Sequence, residues 1–157
     1  MRNLILTIAV LSATAFTVDT LACGDSLYRV GKGVSYRVYT APLPGSVLVY
    51  GETEGARQLA EELARSGHGV RLVSSSDELE SELQNGEYDV VIAAYSDHGT
   101  VESLEAAANS STAYIPVAES EEEEAMARQQ YDRVLAAQKD DIKNYLKAIH
   151  RTLKAKT

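Results

Sequence analysis

The chain has 157 residues, with 15 Lys and Arg against 23 Asp and Glu and a net charge of −8. One domain is the expectation at that length, and the acidic balance argues against a nucleic-acid binder, whose footprint is basic. A single Cys excludes an internal disulfide framework and a Cys-rich zinc site, and three scattered His argue against a His-based metal centre.

Met1-Arg2-Asn3 is short and positive, and Leu4 to Leu11 is an apolar run, too short for the roughly 20 residues of a spanning helix. Small residues follow, so residues 1–22 read as a secretory signal peptide and fall outside the fold. Ala13-Thr14-Ala15 and Thr20-Leu21-Ala22 both suit cleavage, and the second leaves Cys23 as the first mature residue. Thr20-Leu21-Ala22-Cys23 resembles a bacterial lipobox, although Thr20 stands where Leu is usual and Asp19 lies in a normally uncharged region. That resemblance implies a lipid-anchored Cys23; a secreted chain with a spare thiol is the alternative. Either way the expectation is export to the periplasm, with membrane contact only through the anchor.

Residues 24–45 are a separate stretch. Leu27 to Val30 and Val34 to Tyr39 alternate in the β manner around the turn Gly31-Lys32-Gly33, which predicts a hairpin-like extension. Tyr28, Arg29, Tyr36 and Arg37 interleave rings and cations there. They suit a protein interface, and equally a plain edge strand. Ala41-Pro42-Leu43-Pro44-Gly45 is a linker, because its prolines block helix and ladder alike.

From Ser46 to Ala118 strands and helices alternate. Val47-Leu48-Val49-Tyr50, Val70-Arg71-Leu72-Val73 and Asp89 to Tyr95 read as short buried strands. Ala56, Leu59, Ala60 and Leu63 repeat at helical spacing, and Gly67 ends that helix. Ser75 with Glu78 forms a capping box before a helix marked by Leu79 and Leu83. Val101, Leu104 and Ala108 mark a third helix. Thr112 to Val117 is a fourth strand, whose Pro116 points to an edge or a strand end. The class is therefore α/β: a three-layer, flavodoxin-like parallel sheet of about four strands.

Residues 119–157 read as one long helix opened by the Ser120/Glu123 box, with no Gly or Pro from Ser120 onward. Glu121 to Glu124 at its start and Lys147, Arg151 and Lys154 near its end suit the helix dipole. Tyr131, Leu135, Ile142, Tyr145 and Ile149 form a heptad-like stripe. A helix of about 30 residues is about 45 Å long, so the stripe either packs on the chain's own sheet or pairs with another helix as a homodimer.

Val47 to Glu52, Ala56 to Leu63, Gly67-His68-Gly69-Val70 and Tyr88 to Ala94 together resemble a response-regulator receiver domain over 46–118. The resemblance implies a Mg²⁺-binding acid pair at the end of the first strand, but those slots hold Tyr50 and Gly51. The phospho-accepting Asp falls on Ala94, the Ser or Thr slot falls near Val117, and no fifth strand with its Lys is visible. Without the carboxylate nucleophile no aspartyl phosphate forms, so the resemblance implies a pseudo-receiver.

Ligands of open α/β sheets bind beyond the strand carboxyl ends. Glu52, Glu54, Ser96, Asp97 and His98 are the candidates there. Glu52, Glu54 and Asp97 suit a divalent cation with oxygen ligands; acidic and small polar residues are also the ordinary content of such loops. Ser96-Asp97-His98 places triad residue types side by side, which is not triad geometry. No catalytic residue and no resident cofactor are expected. The leading expectation is a non-enzymatic interaction module with an envelope protein as partner; the alternative is a small-ligand or cation binder at the strand ends.

Overall fold

Short apolar runs build the sheet in a computed structural model that describes residues 40–108 and 110–156. The expected signal peptide 1–22, the lipidation candidate Cys23, and Tyr28, Arg29, Tyr36 and Arg37 lie outside the described residues. Among the described residues, β1 (Ser46–Tyr50), β2 (Gly69–Val73), β3 (Val90–Ala94), β4 (Ala113–Ala118) and β5 (Leu135–Ala136) pair in the order β2-β1-β3-β4-β5. Every pairing is parallel. Val47, Leu48 and Val49 and all of β3 are buried. Strands apolar on both faces require helices on both sides, and the chain supplies them.

On one face, Val47, Val49, Val90, Ile92, Ile115 and Val117 pack against α1 (Glu54–Arg65) and α5 (Ile142–Lys156). On the other, Leu48, Val73, Val91 and Ala93 pack against α2 (Ser76–Asn85) and α3 (His98–Ala108). A 3-10 turn, Tyr95–Asp97, joins β3 to α3. α4 (Glu121–Gln130) lies near the end of β4, where Ala127 packs with Tyr95, Ala118 and Val134. This is a three-layer, flavodoxin-like α/β fold.

Local chemistry accounts for the element ends. Thr53 caps α1 by accepting the Ala56 amide at 3.1 Å. Ser75 accepts the Glu78 amide, while the Glu78 carboxylate returns to the Ser74 amide at 2.9 Å. Ser120 and Glu123 repeat the arrangement at α4, with Glu123 accepting the Glu119 amide at 2.8 Å. Beyond α1, Gly67 takes φ +100, a left-handed conformation that glycine adopts without a Cβ clash.

The single C-terminal helix expected from the sequence is corrected. The segment is α4, a connection through Tyr131, the two-residue strand β5, a turn, and α5. Tyr131 is already extended, at φ −124 and ψ 135. Asp140 accepts the Ala136 amide at 2.7 Å and closes the turn, and Asp141 accepts the Lys143 and Asn144 amides to start α5. The physical reason is burial. A rod of about 45 Å would carry its apolar stripe past strands of five or six residues. Breaking it lets α5 bury Ile142, Tyr145, Leu146, Ile149 and Leu153 on the sheet.

The stripe is therefore core rather than a free dimer seam. Tyr145 and Ile149 are fully buried, and Leu135 is in β5. The fifth strand raises the count of about four to five and makes β4 interior to the sheet order, while Pro116 itself keeps an unpaired side as its missing donor requires. β4 lies between β3 and β5, but β5 pairs only with Val117 and Ala118, the residues after the proline.

Candidate functional site

The sheet order reverses between β1 and β3, and the crevice outside their carboxyl ends is the usual ligand position in such sheets. Tyr50 ends β1 and Ala94 ends β3. Burial raises the Tyr50 hydroxyl pKa, and the negative charges of Asp97 and Glu52 add to the shift. Tyr50, Glu52 and Asp97 are thus close enough to interact. Glu54 is turned away: its carboxylate holds Arg57 and Gln58 along α1. Ser96 is exposed in the 3-10 turn. His98 opens α3 with its ring stacked on Tyr95, centroids 4.7 Å apart and planes 8° apart. Its Nδ1 lies 2.8 Å from the Tyr95 carbonyl, and because a carbonyl only accepts, that nitrogen carries the proton.

The structure therefore brings Glu52 and Asp97 toward one hydroxyl and leaves Glu54 and His98 with other partners. The set Glu52, Glu54 and Asp97 is not assembled as a cation cage. Among the described residues no group of three or more His, Cys, Asp or Glu is placed to hold a metal ion.

Aromatic rings fill the space above β3. The Tyr114 hydroxyl donates to the Ala94 carbonyl at 2.9 Å. Tyr131 meets Tyr114 edge-on at 5.4 Å and Tyr95 at 6.3 Å, and its hydroxyl donates to Glu102. Burial first, then the neighbouring Tyr131 and Asp97, pushes the Tyr114 hydroxyl far up, so it remains a donor at any ordinary pH. Tyr131, read from the sequence as an interface residue, belongs to this cluster. Tyr95 and Tyr114 were missed as site residues, because only the tertiary fold puts three rings from separate elements together.

A second concavity, of about 390 Å³, opens at the ends of β4 and β5. Glu119, Ser120 and Glu121 form one wall and Gln138 and Lys139 the other. Gln138 donates to the Glu119 carbonyl at 3.0 Å, and the Lys139 ammonium bridges Glu121 at 3.2 Å and Glu124 at 3.0 Å. Arg128 and then Lys139 hold the Glu124 carboxyl below its usual range. Gln138 and Lys139 were missed because their place depends on β5. The paired acids Asp140-Asp141, a helix-start signal inside an apparently continuous helix, were the clue.

The chain matches no protein-family model and no curated protein. The receiver resemblance rests on element order and strand sequence alone.

Proposed function

We propose that the protein is an exported, non-catalytic interaction module on a receiver-like scaffold that lacks the phospho-acceptor. One observation carries this. The end of β3, where a receiver presents its nucleophile, is Ala94, and the Tyr114 hydroxyl closes its carbonyl. A methyl side chain there offers no nucleophile and no ligand. The contact surface is the Tyr- and Arg-bearing segment before Thr40, and the partner is an envelope protein. Since α5 is core, deleting the C-terminal segment would unfold the domain, so substitutions before Thr40 are the cleaner probe.

The test is crosslinked capture of the full chain from its native envelope, read by mass spectrometry. It compares the parent with a variant carrying Tyr28→Ala, Arg29→Ala, Tyr36→Ala and Arg37→Ala. The reading expects one dominant protein partner, lost in the variant. Recovery of the parent alone, or the same partner on both, contradicts it.

The cleft of about 390 Å³ at the β4 and β5 ends favours a second reading, a small polar ligand held by Ser120, Gln138 and Lys139. A ligand that binds only the native state raises the melting temperature. A panel of small polar metabolites that leaves the parent unshifted would remove this reading.

A further inference from the structure

We infer that the outer face of α5 is a cationic ridge that seats the domain on an anionic lipid surface. α5 carries Lys143, Lys147, Arg151, Lys154 and Lys156 and no acid, in a chain of net charge −8. Its apolar residues Tyr145, Ile149 and Leu153 face the sheet. Lys143, Lys147, Arg151 and Lys154, spaced by 4, 4 and 3, therefore share the outward side, and all are exposed. The ridge spans about 16 Å at the helical rise.

Lys156, at the end of α5, donates to the Asp89 and Ser111 carbonyls at 2.7 and 2.8 Å. Arg57, Arg65, Arg71, Arg128 and Lys139 each pair with a carboxylate. Lys147, Arg151 and Lys154 form no such pair among the described residues. α2 carries Asp77, Glu78, Glu80 and Glu82 without a base, but it packs on the opposite face of the sheet. The two helix layers are separated by more than a Debye length of about 8 Å. On α5's own face, α1 sets Glu54, Glu61 and Glu62 against Arg57 and Arg65, a net of −1, so a flat anionic surface approaching α5 meets the ridge rather than the chain's net charge.

The route of the chain favours lipid over a second copy or an acidic protein. Ala41 packs in the same cluster as Leu146, Ile149 and Leu153. Gly45 lies so close to Leu153 that an added Cβ would come within 2.7 Å of it. The sequence before Thr40, which on the export reading begins at the lipidation candidate Cys23, thus joins the fold beside α5. Leu43, an exposed apolar side chain, sits in the same entering segment. This tether argument rests on the export reading; the ridge does not.

The test measures partition of the full chain onto vesicles of phosphatidylcholine alone and of phosphatidylcholine with one part in three phosphatidylglycerol. Any contribution of the N-terminal apolar run enters both, so the ratio isolates charge. Each Lys or Arg near such a surface strengthens binding about fivefold, so removing two weakens it roughly thirtyfold. The ratio for the parent is expected to be well above one at low salt and to fall toward one at high salt. Lys147→Glu with Arg151→Glu should bring it to near one at low salt. Lys147→Gln with Arg151→Gln, a milder pair on the same exposed face, should lower the ratio about thirtyfold with an unchanged melting curve. A parent ratio of one, or a ratio the variants leave unchanged, overturns the inference. So does a salt-sensitive dimer in sedimentation without any preference for the anionic vesicle, which would assign the ridge to a second copy. None of these outcomes alters which protein partner is captured, so the export reading stands or falls separately.

Discussion

At the scale of single residues, two buried titratable groups give the protein opposite pH slopes. Glu105 on α3 is half-buried with Oε1 unpartnered. Burial, and then the charge of Glu102, pushes its carboxyl up to about 7 from 4.5. The native state therefore holds this proton more tightly than the unfolded chain. The stability it contributes is complete below pH 4.5 and is lost as pH rises through about 7. Glu105→Gln should stabilise the protein at pH 8.5 by on the order of 1 kcal/mol, reduced from the full linkage value because water reaches the group. At pH 4.5 it should change little. Urea unfolding at the two pH values checks this.

His68 behaves in the reverse way. Burial lowers its pKa; Nδ1 accepts the Gly45 amide at 3.1 Å, which only the unprotonated nitrogen can do, and Nε2 is buried without a partner. Its stability contribution is complete above the unfolded value of 6.5 and is lost as pH falls below it. In the Glu105→Gln background, urea unfolding from pH 7.5 to 5 should show that acid-side loss, and replacing His68 with Asn should flatten it. The capping pairs Ser75/Glu78 and Ser120/Glu123 were legible in sequence because a cap is a local arrangement. Glu105 and His68 were not, because burial is set by elements far away along the chain.

At the scale of elements, the stripe Ile142, Tyr145 and Ile149 was legible as apolar, but its partner was not. A helical repeat facing the chain's own sheet and one facing a second helix have the same spacing. β5 was invisible for a related reason: two residues are too few to show a strand period, and Leu135-Ala136 reads as helix when no Gly or Pro interrupts. The structure makes a sharp distinction here. Tyr145→Ala removes a fully buried ring and should cost about 3–5 kcal/mol. If the stripe is core, that loss is the same at every protein concentration, whereas a dimer seam would make the melting temperature concentration-dependent. Calorimetry over a hundredfold dilution checks it.

At the scale of the whole molecule, the succession of β1 to β4 along the chain and a three-layer parallel sheet followed from alternating apolar runs and short connections; the spatial order β2-β1-β3-β4-β5 did not. The strand-end chemistry did not. Glu52, Glu54 and Asp97 share one end of the sheet in sequence logic, yet Glu54 is spent along α1 while Glu52 and Asp97 bear on Tyr50. Tyr95, Tyr114 and Tyr131, from three separate places in the chain, close the end of β3. On the proposed receiver-like reading, the nucleophile position is Ala94, closed by the Tyr114 hydroxyl. The direct test is the intact mass of the full chain after incubation with a small-molecule phosphodonor and Mg²⁺. The account predicts an unchanged mass. A phosphoryl adduct that maps to Glu52 or Asp97 and disappears on substitution of that residue would contradict it, and would return the strand ends to receiver chemistry.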